Sequence, residues 1–162
     1  MGVRRWLPFM CTGVLLAACT GQEPSASAPA HFNGLAISEA LLWFEDRTLE
    51  CLGPDQPLAD PHEWRCTHEF EDGSSLEVRI TADQSGVSRL LGVANDLPPE
   101  DAASYLGTTV AGIAVPEDRR EELTKWSLER GISGGARVVG SADIELQPHS
   151  EHQAIFIDAL LD

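Results

Sequence analysis

The chain has 162 residues and a formal net charge of −15, with 26 Asp and Glu against 11 Lys and Arg. That balance argues against a nucleic-acid partner, whose phosphates require a basic surface, and against a face that lies flat on anionic lipid. The acids are scattered rather than gathered in a tail, so a solvated surface accounts for them, and attraction of a cationic partner is the other use of the same charge.

The first segment in chain order, residues 1–18, has the parts of an export signal. Arg4 and Arg5 form a basic start, an apolar run follows, and Leu16-Ala17-Ala18-Cys19 closes it. The run of about 13 residues is short for a membrane span, which needs roughly 20. The closing tetrapeptide resembles the lipobox of bacterial lipoproteins. The resemblance implies cleavage between Ala18 and Cys19, diacylglycerol on the Cys19 thiol, and acylation of the new amino group. Several chains are needed because each buried methylene contributes only about 0.8 kcal/mol and one chain holds a protein marginally. The alternatives are an ordinary secretory signal with Cys19 incidental, and a twin-arginine signal, which the residues around Arg4-Arg5 fit poorly. In the lipoprotein family an Asp after the cysteine favours inner-membrane retention. Thr20 stands there instead, which implies the outer membrane where the cell has one.

Residues 19–34 read as the lipidated, flexible tether, rich in Ser, Ala and Pro and without apolar periodicity. Cleavage would leave 144 residues at a net charge of about −17, because the signal holds two arginines and no acids. That length suffices for one domain with a core, placed over residues 35–162.

Within that domain, residues 37–49 predict a helix. Ser38 is positioned to cap it, and Ile37, Leu41, Phe44 and Thr48 recur at helical spacing, widened by Leu42 and Trp43. Cys51 follows. Cys11 leaves with the signal and Cys19 takes lipid, so Cys51 and Cys66 remain as an even pair in an oxidising compartment. A disulfide between them would close an irregular, proline-rich loop of about 15 residues, a contribution of roughly 3 kcal/mol. The alternative is zinc, with His62 and His68 joining the two cysteines, but the spacing fits no compact zinc motif.

Trp64, Cys66, His68 and Phe70 alternate with polar residues, Asp72-Gly73 predicts a two-residue hairpin turn, and Leu76, Val78 and Ile80 resume the alternation. After a turn at residues 83–86, residues 87–94 make a third strand. A second helix starts at Leu97-Pro98-Pro99-Glu100 with Asp96 as cap, burying Ala102, Ala103, Leu106, Val110 and Ile113. Pro116 ends or bends it, and a third helix over residues 117–130 carries Leu123 and Trp126. Gly131 is placed for a left-handed helix stop, with Ile132 folding back over it. Residues 137–147 alternate as one strand with Val138, Gly140, Ala142, Ile144 and Leu146 on one side, and residues 154–159 form the last. The expected fold is α+β, an antiparallel sheet of about five strands with helices on one face, in the order α-βββ-αα-ββ.

Cys51, Trp64-Arg65-Cys66, Asp72-Gly73, Trp126 and the glycine-rich residues 131–135 together resemble uncharacterised extracytoplasmic α+β domains of bacteria. The resemblance spans most of residues 37–159. It implies the fold and the disulfide and brings no activity with it.

Residues 131–135 also satisfy G-x-S-x-G, with Ser133 as nucleophile and Asp143, then His149 or His152, following in hydrolase order. A nucleophile elbow needs a strand entering and a helix leaving, and the predicted elements come the other way round. His149-Ser150-Glu151-His152 is a weak candidate metal site set against a solvated loop, and His68 reads as a hydrogen-bonded core residue sooner than a ligand. Trp43, Trp64 and Trp126 either pack in the core or line a groove. The reading that follows is a membrane-anchored extracytoplasmic lipoprotein acting as a binding or protein-interaction module. It has no catalytic residues, cofactor or metal, and a groove beside Trp64 and His68 is its candidate site. Its partners are the bilayer through acylated Cys19 and an envelope protein or small ligand. A small hydrolase centred on Ser133 and a purely structural envelope lipoprotein are the alternatives.

Overall fold

The computed structural model describes residues 30–32, 34–54, 61–149 and 152–160. Ala18 and Cys19, with the rest of the signal and most of the tether, lie outside the described residues, as do Ser150 and Glu151. At the end of the segment read as tether, Phe32 is buried and its N–H donates to the Val87 carbonyl at 2.9 Å. His31 Nε2 lies 2.9 Å from Asp83 Oδ1.

The fold is α+β, built on one antiparallel sheet. Seven strands form it rather than about five: β1 (Glu50–Leu52), β2 (His62–Glu69), β3 (Ser75–Asp83), β4 (Gly86–Asn95), β5 (Gly135–Val139), β6 (Ala142–Pro148) and β7 (His152–Ala159). The spatial order is β1-β2-β3-β4-β7-β6-β5, so two meanders meet where β4 pairs with β7. The helical segment between β4 and β5 carries the chain across one face to the far edge.

Both additional strands have local causes. Residues 137–147 are a hairpin and not one strand, because Gly140 takes φ +60° and Val139 pairs with Ala142 across a two-residue turn. The turn resets the alternation, so Val139, Ala142, Ile144 and Leu146 are buried while Val138 is 58% exposed. Strand β1 has three residues, too few for a period-two signal, and pairs Cys51 directly with Cys66. The Asp72-Gly73 turn is also one residue longer than expected. Gly73 at φ +87° donates to Phe70, and Phe70 then pairs with Ser74, the geometry of a three-residue hairpin loop.

Helix α1 (Ile37–Glu45) stops short of Thr48 and buries Ala40 and Phe44, while Leu42 is 59% exposed. Ala36 occupies the cap position in place of Ser38, and the Ala36 N–H donates to Glu39 Oε2. Helix α2 (Pro99–Tyr105) starts after Pro98, and Asp96 stands outside it at φ +56° without capping. It then widens into a π-helical turn over Leu106–Ala111 before a last turn, α3 (Gly112–Ala114). Thr108 Oγ1 bonds back to the Ser104 carbonyl at 2.7 Å within this stretch, a competition with the helical ladder. The extra residue per turn shifts the buried stripe, so Thr109 and Ala111 go inside while Ile113 is half-buried. Val115 is extended before Pro116, as proline requires of its predecessor. A 3₁₀ turn (Glu117–Arg119) then leads into α4 (Arg120–Arg130).

All the helices cover one face of the sheet. Leu106 and Val110 pack directly on Gly92 of β4, where a Cβ would lie 2.9 and 2.7 Å from their side chains. Gly131 is not a left-handed stop. It has φ −52°, and its small size admits Ala103, whose Cβ would lie 2.7 Å from an added methyl. The left-handed residue is Gly134 at φ +68°, and Ile132 is 80% exposed instead of folding back. The other sheet face carries Arg79, Glu77, Arg89 and Asp158 around half-buried Leu91, Val93 and Phe156.

Candidate functional site

Cys51 and Cys66 are joined in a disulfide across the β1–β2 pair, with Cα atoms 4.0 Å apart. Both sulfurs are therefore bonded to each other, and neither is a thiolate for zinc. The bridge fixes a three-residue edge strand that backbone pairing alone would hold weakly.

Trp64 and His68 share the helix-covered face of β2, opposite Ile80 and Leu76. Four residues separate them, about 13 Å along a strand. Trp64 packs beside Gly53, whose added Cβ would meet it at 3.1 Å, and its ring centroid lies 5.7 Å from that of His62. It lines neither of the two hollows that form at His68. The inner hollow, of about 110 Å³, has Leu49, Phe70 and Leu76 as its apolar floor and Arg47, His68 and Thr109 on its rim. Tyr105 leans over it, 5.1 Å from Phe70 between ring centroids. The outer hollow, about 510 Å³ and open, lies along the β1 edge between Glu50 and Glu69 and shares Thr48 and His68 with the inner one.

His68 is held on two sides. Its ring meets Phe70 edge-on at 4.6 Å, and Nδ1 lies 2.9 Å from the Thr48 carbonyl. A carbonyl only accepts, so Nδ1 carries the proton and Nε2 is the nitrogen available to a ligand. Thr48 itself has φ +67°, a conformation that a β-branched residue adopts at a cost of order 1–3 kcal/mol. The strained residue lies outside α1, although its apolar spacing matched the helix. Sequence reasoning missed this signal, because nothing in Arg47-Thr48-Leu49 announces a left-handed backbone.

Trp43 closes the helical side. Its Nε1–H donates to the Thr109 carbonyl at 2.7 Å, so α1 is tied to the π-helical turn through a carbonyl of the turn itself. The Arg47 guanidinium lies 3.2 Å from the Trp43 ring centre and donates to the Trp43 carbonyl at 2.9 Å. Arg120 lies over the same ring at 4.8 Å and donates through Nε to the Gly112 carbonyl at 2.8 Å. Burial, then the positive charge of Arg120, holds the Arg47 pKa below the ordinary arginine value. Trp126 sits elsewhere, partly buried against the core with Arg137 5.8 Å from its ring.

The other sequence candidates lie on other strands and turns than His68. Ser133 is exposed on the turn after α4, and its Oγ reaches the Gly134 carbonyl at 3.4 Å. A helix enters that turn and β5 leaves it, so the order is the reverse of a nucleophile elbow. His149 and His152 stack at 4.4 Å beside a hollow of about 370 Å³ that Asp96 and Gln153 also line. Among the described residues no group of three or more His, Cys, Asp or Glu is placed to hold a metal ion. Gln153 donates both amide hydrogens, to the Pro99 and Gly131 carbonyls, which ties the starts and ends of the helical layer to β7.

Comparison with known proteins finds no matching family model, no matching curated protein and no matching solved structure.

Proposed function

We propose that this chain is an extracytoplasmic lipoprotein, anchored through acylated Cys19, whose α+β domain is a binding module that takes its ligand at the His68 end of the β1–β2 edge. The observation that carries the binding half is the inner hollow, where an apolar floor meets His68 and Arg47 beside strained Thr48. Support for the extracytoplasmic half comes from the Cys51–Cys66 bridge, since disulfides persist where the compartment is oxidising. The lipobox at Leu16-Ala17-Ala18-Cys19 supplies the anchor, and the acidic surface leaves the acyl chains as the membrane contact.

The test is native mass spectrometry of the protein extracted from membranes in mild detergent. The reading expects a small organic adduct that survives in Ser133→Ala and disappears in His68→Ala. An adduct indifferent to His68 and lost with Ser133 would move the site to the glycine-rich turn.

A further inference from the structure

Most other arginines in the described residues meet an acid, Arg130 being the exception. Arg79 meets Glu77, Arg89 meets Asp158, and Arg119 and Arg137 both meet Glu122. Arg47 and Arg120 are the contrast. They share the Trp43 ring, they repel one another, and among the described residues neither has a carboxylate within ion-pair distance. Asp46 attracts Arg47 only from farther away. In a chain of net charge −15, two cations left together without an acid mark a place where an anion would be favourable.

The surroundings restrict which anion. Each guanidinium gives one nitrogen to a backbone carbonyl, Arg47 to Trp43 and Arg120 to Gly112, and this fixes the planes while leaving other N–H groups to donate. Directly beside Arg47 lies the floor of Leu49, Phe70 and Leu76. At about 110 Å³ the hollow is somewhat smaller than the roughly 150 Å³ cavity that holds benzene, so it accepts a short hydrocarbon chain and no more. A planar carboxylate suits a guanidinium better than a spherical anion does, because two parallel N–H···O bonds form at once.

We infer that the His68 hollow binds a small aliphatic monocarboxylate, with the carboxylate on Arg47 under the field of Arg120 and the hydrocarbon tail against Leu49, Phe70 and Leu76. The inference rests on the binding-module reading above and names its ligand class. His68 and Tyr105 border the tail.

The experiment titrates the full lipidated protein in nonionic detergent with sodium butyrate, and with butyramide as the uncharged match. Binding is followed by the Trp43 indole N–H resonance, identified by its loss in Trp43→Phe. The expected result is saturation with a dissociation constant on the order of 1 mM, as befits so few atoms. Butyramide should bind at least roughly tenfold more weakly, and Arg47→Gln should lose butyrate to the same degree while Arg47→Lys retains part of it. Inorganic phosphate binding as tightly as butyrate would overturn the class, because the tail would then contribute nothing. Equal binding of butyramide and butyrate would also overturn it, while leaving the hollow a binding site. No saturation with butyrate up to about 50 mM would overturn it as well. A native adduct that depends on His68 would in that case keep the binding-module reading standing without this ligand.

Discussion

The centre of the sheet and its β1–β2 edge are built on opposite principles. At the centre, Gly92 is flanked by Leu106, Val110 and Ile155 at distances that leave no room for a methyl group, and the side chains around it are fully buried. At the edge, a three-residue strand is held by a covalent bridge, a threonine sits in a left-handed conformation, and two arginines lie on one indole with no carboxylate of the described residues in ion-pair distance. Close packing stabilises the first region and leaves nothing there for a ligand to do. The second is short of packing partners, is stapled instead, and keeps unsatisfied charge beside an apolar hollow. On the proposed reading, stability and binding fall to different parts of one sheet.

The largest effect should come from the centre. Leu106→Ala removes a fully buried side chain at the contact with β4 and should cost about 2–5 kcal/mol in denaturant unfolding, with ligand affinity unchanged in whatever fraction remains folded. The edge answers through its staple. Cys51→Ser with Cys66→Ser should cost roughly 3 kcal/mol and, unlike the core variant, should also weaken binding by freeing β1 beside Thr48. Equal loss of binding in both variants would erase the division between the two regions. Gly92→Ala should cost about 1–3 kcal/mol through overpacking, measured by the shift in unfolding midpoint.

Acid provides a gentler probe. The Ser85 N–H, and after it His31, hold the Asp83 carboxyl below its ordinary value of 3.8. A carboxyl depressed in the folded state contributes stability above its unfolded value, and that contribution is lost as pH falls through the lower folded one. Asp83→Asn should therefore flatten the acid limb of stability as pH falls below about 5, visible in urea midpoints, while leaving neutral-pH binding intact. Arg47→Gln should change stability least, by less than about 1 kcal/mol, because the residue is exposed and no acid of the described residues lies in ion-pair distance.

The strands of the centre and the staple of the edge were legible in the sequence, while the hollow at the edge and the π-helical turn over the centre were not. Alternation over Leu76, Val78 and Ile80 follows directly from strand geometry, and counting cysteines pointed to Cys51 and Cys66. The hairpin at Gly140 was read as one strand because a two-residue turn shifts the alternation without interrupting it in an obvious way. The π-helical turn escaped for a related reason: one inserted residue moves Thr109 inside while the stripe of Leu106 and Val110 stays in phase. His68 was singled out from its place between Cys66 and Phe70, and Trp64, on the same face of the strand, lines neither hollow at His68. Its real neighbours, Thr48, Arg47 and Tyr105, come from α1's end and from α2. No local pattern connects residues 20 to 40 positions apart in the chain, so only the folded topology could reveal them.

The most direct test of the account is the denaturing mass of the chain extracted from the membranes of cells that make it. The account predicts a protein that begins at Cys19, carries diacylglycerol and a further acyl chain, and is two hydrogens lighter than its reduced form through the Cys51–Cys66 bridge. A mass beginning at Met1, with no lipid and both thiols reduced, would contradict the export and the anchor together, and with them the setting proposed for binding at the stapled edge.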